Sequence, residues 1–318
     1  WVMMKKIFSP LKIVLVIFCI NFSAYSEEVS YLLTASAKGD MASVRAIIES
    51  GGNPNTKDKD LVTALMYAAR KNQVDVIKFL ILNGANVNAV EEDGWTALMY
   101  AAKKNYTETI KILLENGADP RIIDPDGWSA YGLAATSGFH QTIDILIKGG
   151  IDPNTRNNSG LTVLMLACKS GDVLTIKTLL DNKAQIHLKD KYGKTALTYA
   201  VINGNKDAVI FLLNHGAKVD DFDKSEWTGL VWAIKRKQID IARILIGKGA
   251  DINHEDNEGT HIIHYAVFSN SNEALEMLIN AGVNLKATDQ YGLTPLVYAL
   301  KQNNSHMVKV IKTAGGDY

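Results

Sequence analysis

The sequence predicts an all-α fold: a solenoid of about nine 33-residue helix-turn-helix units joined by β-turn or hairpin loops. Three observations predict it. Alanine recurs every 33 residues, at Ala35, Ala68, Ala101, Ala134, Ala167, Ala200, Ala233, Ala266 and Ala299, with no slip in register. The pair Leu113-Leu114 recurs as Ile47-Ile48, Leu80-Ile81, Leu146-Ile147, Leu179-Leu180, Leu212-Leu213, Leu245-Ile246 and Leu278-Ile279, and becomes Ile311-Lys312 in the last copy. Gly117 recurs as Gly51, Gly84, Gly150, Gly216, Gly249, Gly282 and Gly315, and Lys183 breaks that column. A fixed period of roughly 20–50 residues settles the architecture before any residue is read for chemistry. It overrides the two-domain expectation that 318 residues would otherwise carry.

Along the chain, residues 1–26 stand apart as an expected secretory signal peptide. Met3-Met4-Lys5-Lys6 is a short basic start, Ile13 to Ile20 is an apolar run, and Ala24-Tyr25-Ser26 places small residues before a cut expected ahead of Glu27. The run is short for a spanning helix, which needs about 20 apolar residues; an uncleaved anchor is the alternative. A lipoprotein signal through Cys19 fits less well, because bulky Val16-Ile17-Phe18 precede it. Residues 27–60 form an N-terminal capping unit, 61–291 hold seven internal units, and 292–318 form a C-terminal cap.

Each column within a unit has a physical reason. Asp93-Gly94 and Asp126-Gly127 are turn dipeptides. The alanine stands where two helices approach closely and a larger side chain would overpack. Asn105, with Gly138, Gly171 and Gly204 in its column, ends the first helix. Ile110, Leu113 and Leu114 have the i, i+3, i+4 spacing of one helical face. Gly117 then stops the second helix where φ turns positive. Lys183 and Lys237 replace glycine or asparagine at such ends and are expected weak joints, at about 1 kcal/mol each. Lys312, in place of leucine or isoleucine, suits a terminal unit whose outer face meets water.

These residues resemble a known family. Gly94-x-Thr96-Ala97-Leu98 and Gly292-x-Thr294-Pro295-Leu296 are similar to the opening motif of the ankyrin repeat, and Asn116-Gly117-Ala118-Asp119 and Asn83-Gly84-Ala85-Asn86 to its closing motif. The resemblance covers residues 31–318 in nine units. One column departs from it. Where the family often carries histidine, this chain has Met66, Met99, Gly132, Met165, Thr198, Val231, His264 and Val297. With the leader, the resemblance implies a secreted or periplasmic protein of bacterial type.

Composition announces neither nucleic acid nor membrane lipid. The formal charge is zero, or −3 once a cleaved leader removes Lys5, Lys6 and Lys12. Cys168 is then the one cysteine left, in a helix-packing column that reads as a small buried filler. No phosphate loop, nucleophile elbow or HExxH is present, so no enzyme activity and no cofactor are expected. His254, Glu255, Asp256, His261 and His264 are the one cluster with metal-like spacing, and the histidines read better as members of repeat columns.

The resemblance implies a non-catalytic protein-protein interaction module gripping its partner with the turn tips and the first helices. On those positions stand Trp95, Trp128, Trp227, Tyr192 and Tyr291 at the tips. Arg70, Lys71, Lys103, Lys104, Lys169, Lys235, Arg236, Phe268 and Lys301 stand at the first-helix ends. One concave face is thus expected to set an aromatic row beside a basic stripe facing a protein partner with an acidic surface. Two plainer readings stay open: tryptophans packing on the next tip, and lysines serving the helix dipole or pairing with tip acids such as Glu92 and Asp93. A scaffold in the periplasm or outside the cell is the first functional expectation. An exported effector or inhibitor of a host or foreign protein is the alternative.

Overall fold

The computed structural model describes residues 31–317, so the expected leader at 1–26 lies outside the described residues. Eighteen helices and no strand are present among them. The chain divides into two compact units, one ending at Leu133 and the other running Ala134–Tyr318. The first unit holds α1 (31–38), α2 (Met41–Glu49), α3 (Ala64–Arg70), α4 (Val74–Leu82), α5 (Ala97–Lys103) and α6 (Thr107–Glu115). The division falls within α7 (Ala130–Thr136). The second unit continues with α8 (His140–Lys148), α9 (Val163–Ser170), α10 (Val173–Asp181), α11 (Ala196–Ile202), α12 (Lys206–Asn214) and α13 (Gly229–Lys235). It ends with α14 (Ile239–Gly247), α15 (Ile262–Phe268), α16 (Asn272–Asn280), α17 (Pro295–Lys301) and α18 (Ser305–Thr313).

Each repeat contributes a short first helix and a longer second helix. In the first unit α3 packs on α4 and α5, α5 packs on α6, and α2, α4 and α6 form a second row. In the second unit α9, α11, α13, α15 and α17 form one row of first helices, and α8, α10, α12, α14, α16 and α18 the other. All nine column alanines are buried, as close helix approach requires. The leucine pair separates into two environments. Leu80, Leu113, Leu146, Leu179, Leu212, Leu245 and Leu278 have no exposed surface, whereas the residue after each is half-buried. In α2 the order is reversed, with Ile48 buried and Ile47 half-buried.

Threonine starts most first helices because its hydroxyl can take an amide that the helix leaves over. Thr63, Thr96, Thr162, Thr195 and Thr228 accept from the third helical N–H at 3.2–3.4 Å. The Met66 column also has a use: Met66 and Met165 sulfurs accept the N–H of Thr63 and Thr162 at 3.4 and 3.3 Å, closing a reciprocal cap. An asparagine ladder ties the loops after the second helices. Asn88 donates to the Gly117 carbonyl at 2.9 Å and accepts from the Asp119 N–H at 2.7 Å; Asn55 does the same with Gly84 and Asn86.

The backbone keeps its left-handed corners even where glycine is missing. Lys183 and Lys237 hold φ of 70° and 57°, as their columns require. Two further residues sit in the turn-glycine column with the same strain, Leu61 at φ 65° and Glu226 at φ 59°. Leu61→Gly, Glu226→Gly and Lys183→Gly are each expected to raise stability by about 0.5–1 kcal/mol, the relief of left-handed strain less the flexibility glycine adds to the unfolded chain. Urea midpoints of the three variants check this.

Candidate interaction surface

The tips are built around a carboxylate that recurs every 33 residues: Asp58, Glu91, Asp124, Asp190, Asp223, Asp256 and Asp289, with Asn157 in the same column. In Asp190, Asp223, Asp256 and Asp289 one oxygen of this side chain accepts backbone N–H groups two and four residues on. Asp190 takes Tyr192 and Lys194 at 2.8 Å each, and Asp289 takes Tyr291 and Leu293 at 2.9 and 3.0 Å. A short antiparallel bridge closes several tips, as between Phe222 and Thr228. The second oxygen takes a ring donor nine residues on, from the first helix. Tyr67 donates to Asp58 at 2.8 Å, Tyr199 to Asp190 at 2.6 Å and Trp232 to Asp223 at 3.0 Å; Tyr265 donates to Asp256 and Tyr298 to Asp289. Asp124 and Asn157 have leucine at that ring position, Leu133 and Leu166, and Asp124 takes the Trp95 indole N–H instead.

The tip tryptophans link neighbouring tips. Trp95 Nε1 donates to Asp124 at 3.1 Å and Trp227 Nε1 to Asp256 at 2.9 Å. Trp95, Trp128 and Trp227 are half-buried; the edges of Trp95 and Trp227 serve the fold while part of each ring meets solvent. Asp256 thus collects four donors: Trp227, Tyr265 and the N–H groups of Glu258 and Thr260. Burial alone would raise its carboxyl, but those hydrogen bonds outweigh it and hold the group below the usual carboxylate range. Tyr265 and Tyr199 are pushed up by burial and by the carboxylates they serve, and Tyr298 to about 12, first by its hydrogen bond to Asp289.

The expected basic residues lie beside this scaffold. Arg70, Lys71, Lys103, Lys104, Lys169, Lys235, Arg236 and Lys301 are all exposed. Among the described residues none of them forms an ion pair, and the expected pairing with Glu92 and Asp93 is not made. Several lie on rings instead. Lys235 sits 3.8 Å from the Trp227 centroid, Lys301 5.3 Å from Tyr298, Arg70 5.8 Å from Tyr100 and Arg236 5.9 Å from Trp232. Partial burial lowers the Lys235 ammonium from its ordinary value. Most lysines and arginines of the second helices behave differently, with Lys111 and Lys309 as exceptions. Lys78–Glu108, Lys206–Asp240 and Arg243–Glu273 pair neighbouring repeats at 3.1–3.8 Å, and Arg45, Lys148 and Lys177 pair within their own helices. Tyr192 and Tyr291 project at the tips, 61% and 73% exposed, with Lys194 5.6 Å from the Tyr192 centroid, and Phe268 is 42% exposed.

The histidine cluster is dispersed among separate partners. His264 is buried and faces the Leu293 carbonyl at 3.1 Å, His261 approaches Glu255 at 3.6 Å, and His254 meets the Glu226 carbonyl. No group of three metal-ligating side chains converges among the described residues. Cys168 is fully buried, and burial pushes its thiol far up, which disfavours the thiolate a nucleophile would need.

Paired helices stacked repeat on repeat, with capped tips, define a helical-repeat protein. The model for ankyrin repeats (3 copies) matches residues 32–124, 116–190, 174–256 and 230–318. The chain belongs to the ankyrin-repeat family, whose members are generally protein-protein interaction modules and typically non-catalytic. No match was found among curated proteins.

Proposed function

We propose that this protein binds a protein partner with an acidic surface, through its turn tips and first-helix ends, and performs no chemistry of its own. One contrast carries the reading. Second-helix cations such as Lys78, Lys206 and Arg243 are matched to carboxylates, whereas eight exposed cations at first-helix ends form no ion pair among the described residues, and four of them, Arg70, Lys235, Arg236 and Lys301, rest beside aromatic rings. Aromatic and arginine side chains are the usual anchors of protein interfaces, and complementary charge speeds encounter. The basic amino-terminal start and apolar run at 13–20 support action in the periplasm or outside the cell.

Replacing Lys103, Lys104, Lys235 and Arg236 by glutamate is expected to weaken partner capture at least about tenfold, since four exposed charges at about 0.2–1 kcal/mol each combine. The melting temperature should hold within a few degrees. Photo-crosslinking in cells from Tyr192, Phe268 and Tyr291, followed by identification of what is bound, supplies the partner for that measurement. Failure to crosslink any protein would overturn the reading. Fractionation decides between a resident scaffold, retained in the periplasm, and an exported effector or inhibitor, found in the medium or a host cell.

A further inference from the structure

The last residues of three successive first helices are Lys235 on α13, Phe268 on α15 and Lys301 on α17. All three are exposed, and the two lysines have no acid partner among the described residues. Rings connect them. Trp227 lies between Trp232 and Tyr265 at centroid distances of 4.9 and 5.4 Å, Tyr265 meets Phe268 at 6.1 Å, and Phe268 meets Tyr298 at 4.8 Å edge-on. Lys235 lies over Trp227 and Lys301 over Tyr298. The result is a continuous aromatic floor with a cation, an apolar ring and a second cation set along it at one-repeat intervals.

We propose that this floor binds an extended acidic peptide segment in the polyproline II conformation, with an acidic, an apolar and an acidic residue spaced three apart. This deepens the partner-binding reading and rests on it. Packed neighbouring helices lie about 8–10 Å apart. A polyproline II strand rises about 3.1 Å per residue with three residues per turn, so every third side chain returns to one face after about 9 Å. A β-strand alternates faces with a period of two, so its third side chain would point away. Aromatic floors also suit a strand already extended before binding, because little ordering entropy is lost. Single-stranded nucleic acid could stack on the same rings. It is disfavoured because exposed Glu226, Glu255 and Glu258 flank the floor and would repel a chain charged at every nucleotide. A peptide with two carboxylates can seat them over the two lysines.

The test is fluorescence anisotropy on the purified protein with a labelled Glu-Pro-Pro-Leu-Pro-Pro-Glu peptide. Saturable binding is expected, weakening as salt rises. Lys235→Gln with Lys301→Gln should reduce affinity about tenfold, and Phe268→Ala should do likewise with the same circular dichroism melt as wild type. A Glu-Pro-Leu-Pro-Glu peptide should bind at least tenfold more weakly. No binding of the first peptide, equal binding of both, indifference to the three substitutions, or tighter binding of oligo(dT) would each overturn the proposal. Crosslinking of a cellular protein from Phe268 in the face of such a result would discard this ligand class alone and leave the binding-module reading standing.

Discussion

Replacing Asp256 with alanine is expected to lower the free energy of unfolding by roughly 3 kcal/mol, although Asp256 touches no expected binding residue except Trp227. Asp256 is only 5% exposed, and its carboxylate accepts from Trp227, Tyr265, Glu258 and Thr260. Alanine leaves four donors without their acceptor, and a buried donor left unmade costs about 1–3 kcal/mol, reduced where water can enter. Asp256→Asn should cost less, because the amide oxygen still serves the two backbone N–H groups. The same residue sets an acid limit. Its folded-state titration lies below the ordinary carboxylate range, as does that of Asp289. The unfolded chain therefore binds protons first as pH falls. The stabilisation is fully present above about pH 4, the unfolded value, and is lost as pH drops through the folded values. Thermal melts from pH 6 to pH 2 should show the wild type losing stability below pH 4 and Asp256→Ala losing less. Identical acid profiles for the two proteins would refute the assignment.

The fold was legible because a repeat writes its core many times. Nine alanines and the leucine pairs mark buried helix contacts whatever the rest of the surface does, and the structure buries each alanine. The left-handed corners were legible for Lys183 and Lys237 because a glycine or asparagine column ran through them. Leu61 and Glu226 are harder to see in the sequence, because the turn-glycine column shows itself through Asp-Gly dipeptides, which these two residues break. The sequence columns mark where the exposed cations sit at first-helix ends, and not what they rest against. Helix-dipole and ion-pair arguments consider the backbone and the acids, whereas Arg70, Lys235, Arg236 and Lys301 lie against rings from the same and neighbouring repeats. The tip carboxylates carried a signal that was available: an acid recurring every 33 residues, nine residues before a tyrosine or tryptophan, in Asp58/Tyr67, Asp190/Tyr199, Asp223/Trp232, Asp256/Tyr265 and Asp289/Tyr298. Acids in turns look like solvent-facing residues until that second periodic partner is noticed. The tryptophans resolve in part toward the plainer reading, because Trp95 and Trp227 spend their N–H groups on the next tip.

Leu113→Ala should destabilise the protein by about 2–5 kcal/mol, and Leu114→Ala by markedly less, although the two residues are adjacent and identical. Leu113 has no exposed surface on α6, while Leu114 is half-buried. Truncation at Leu113 forfeits the full transfer free energy of the removed atoms and leaves a cavity enclosed by packed side chains; at Leu114 water already reaches the site and fills the space. The location of the damage is as informative as its size. In a stack where each repeat touches only its neighbours, stability is a sum of local terms. Amides of α5 and α6 should therefore exchange with solvent much faster in Leu113→Ala, and those of α17 and α18 should hardly change. Uniformly faster exchange through the whole chain would mean that the repeats unfold as one block. Equal losses at Leu113 and Leu114 would mean that the paired column does not distinguish the inner row of contacts from the outer, and that the packing drawn from the 33-residue period is wrong at its centre.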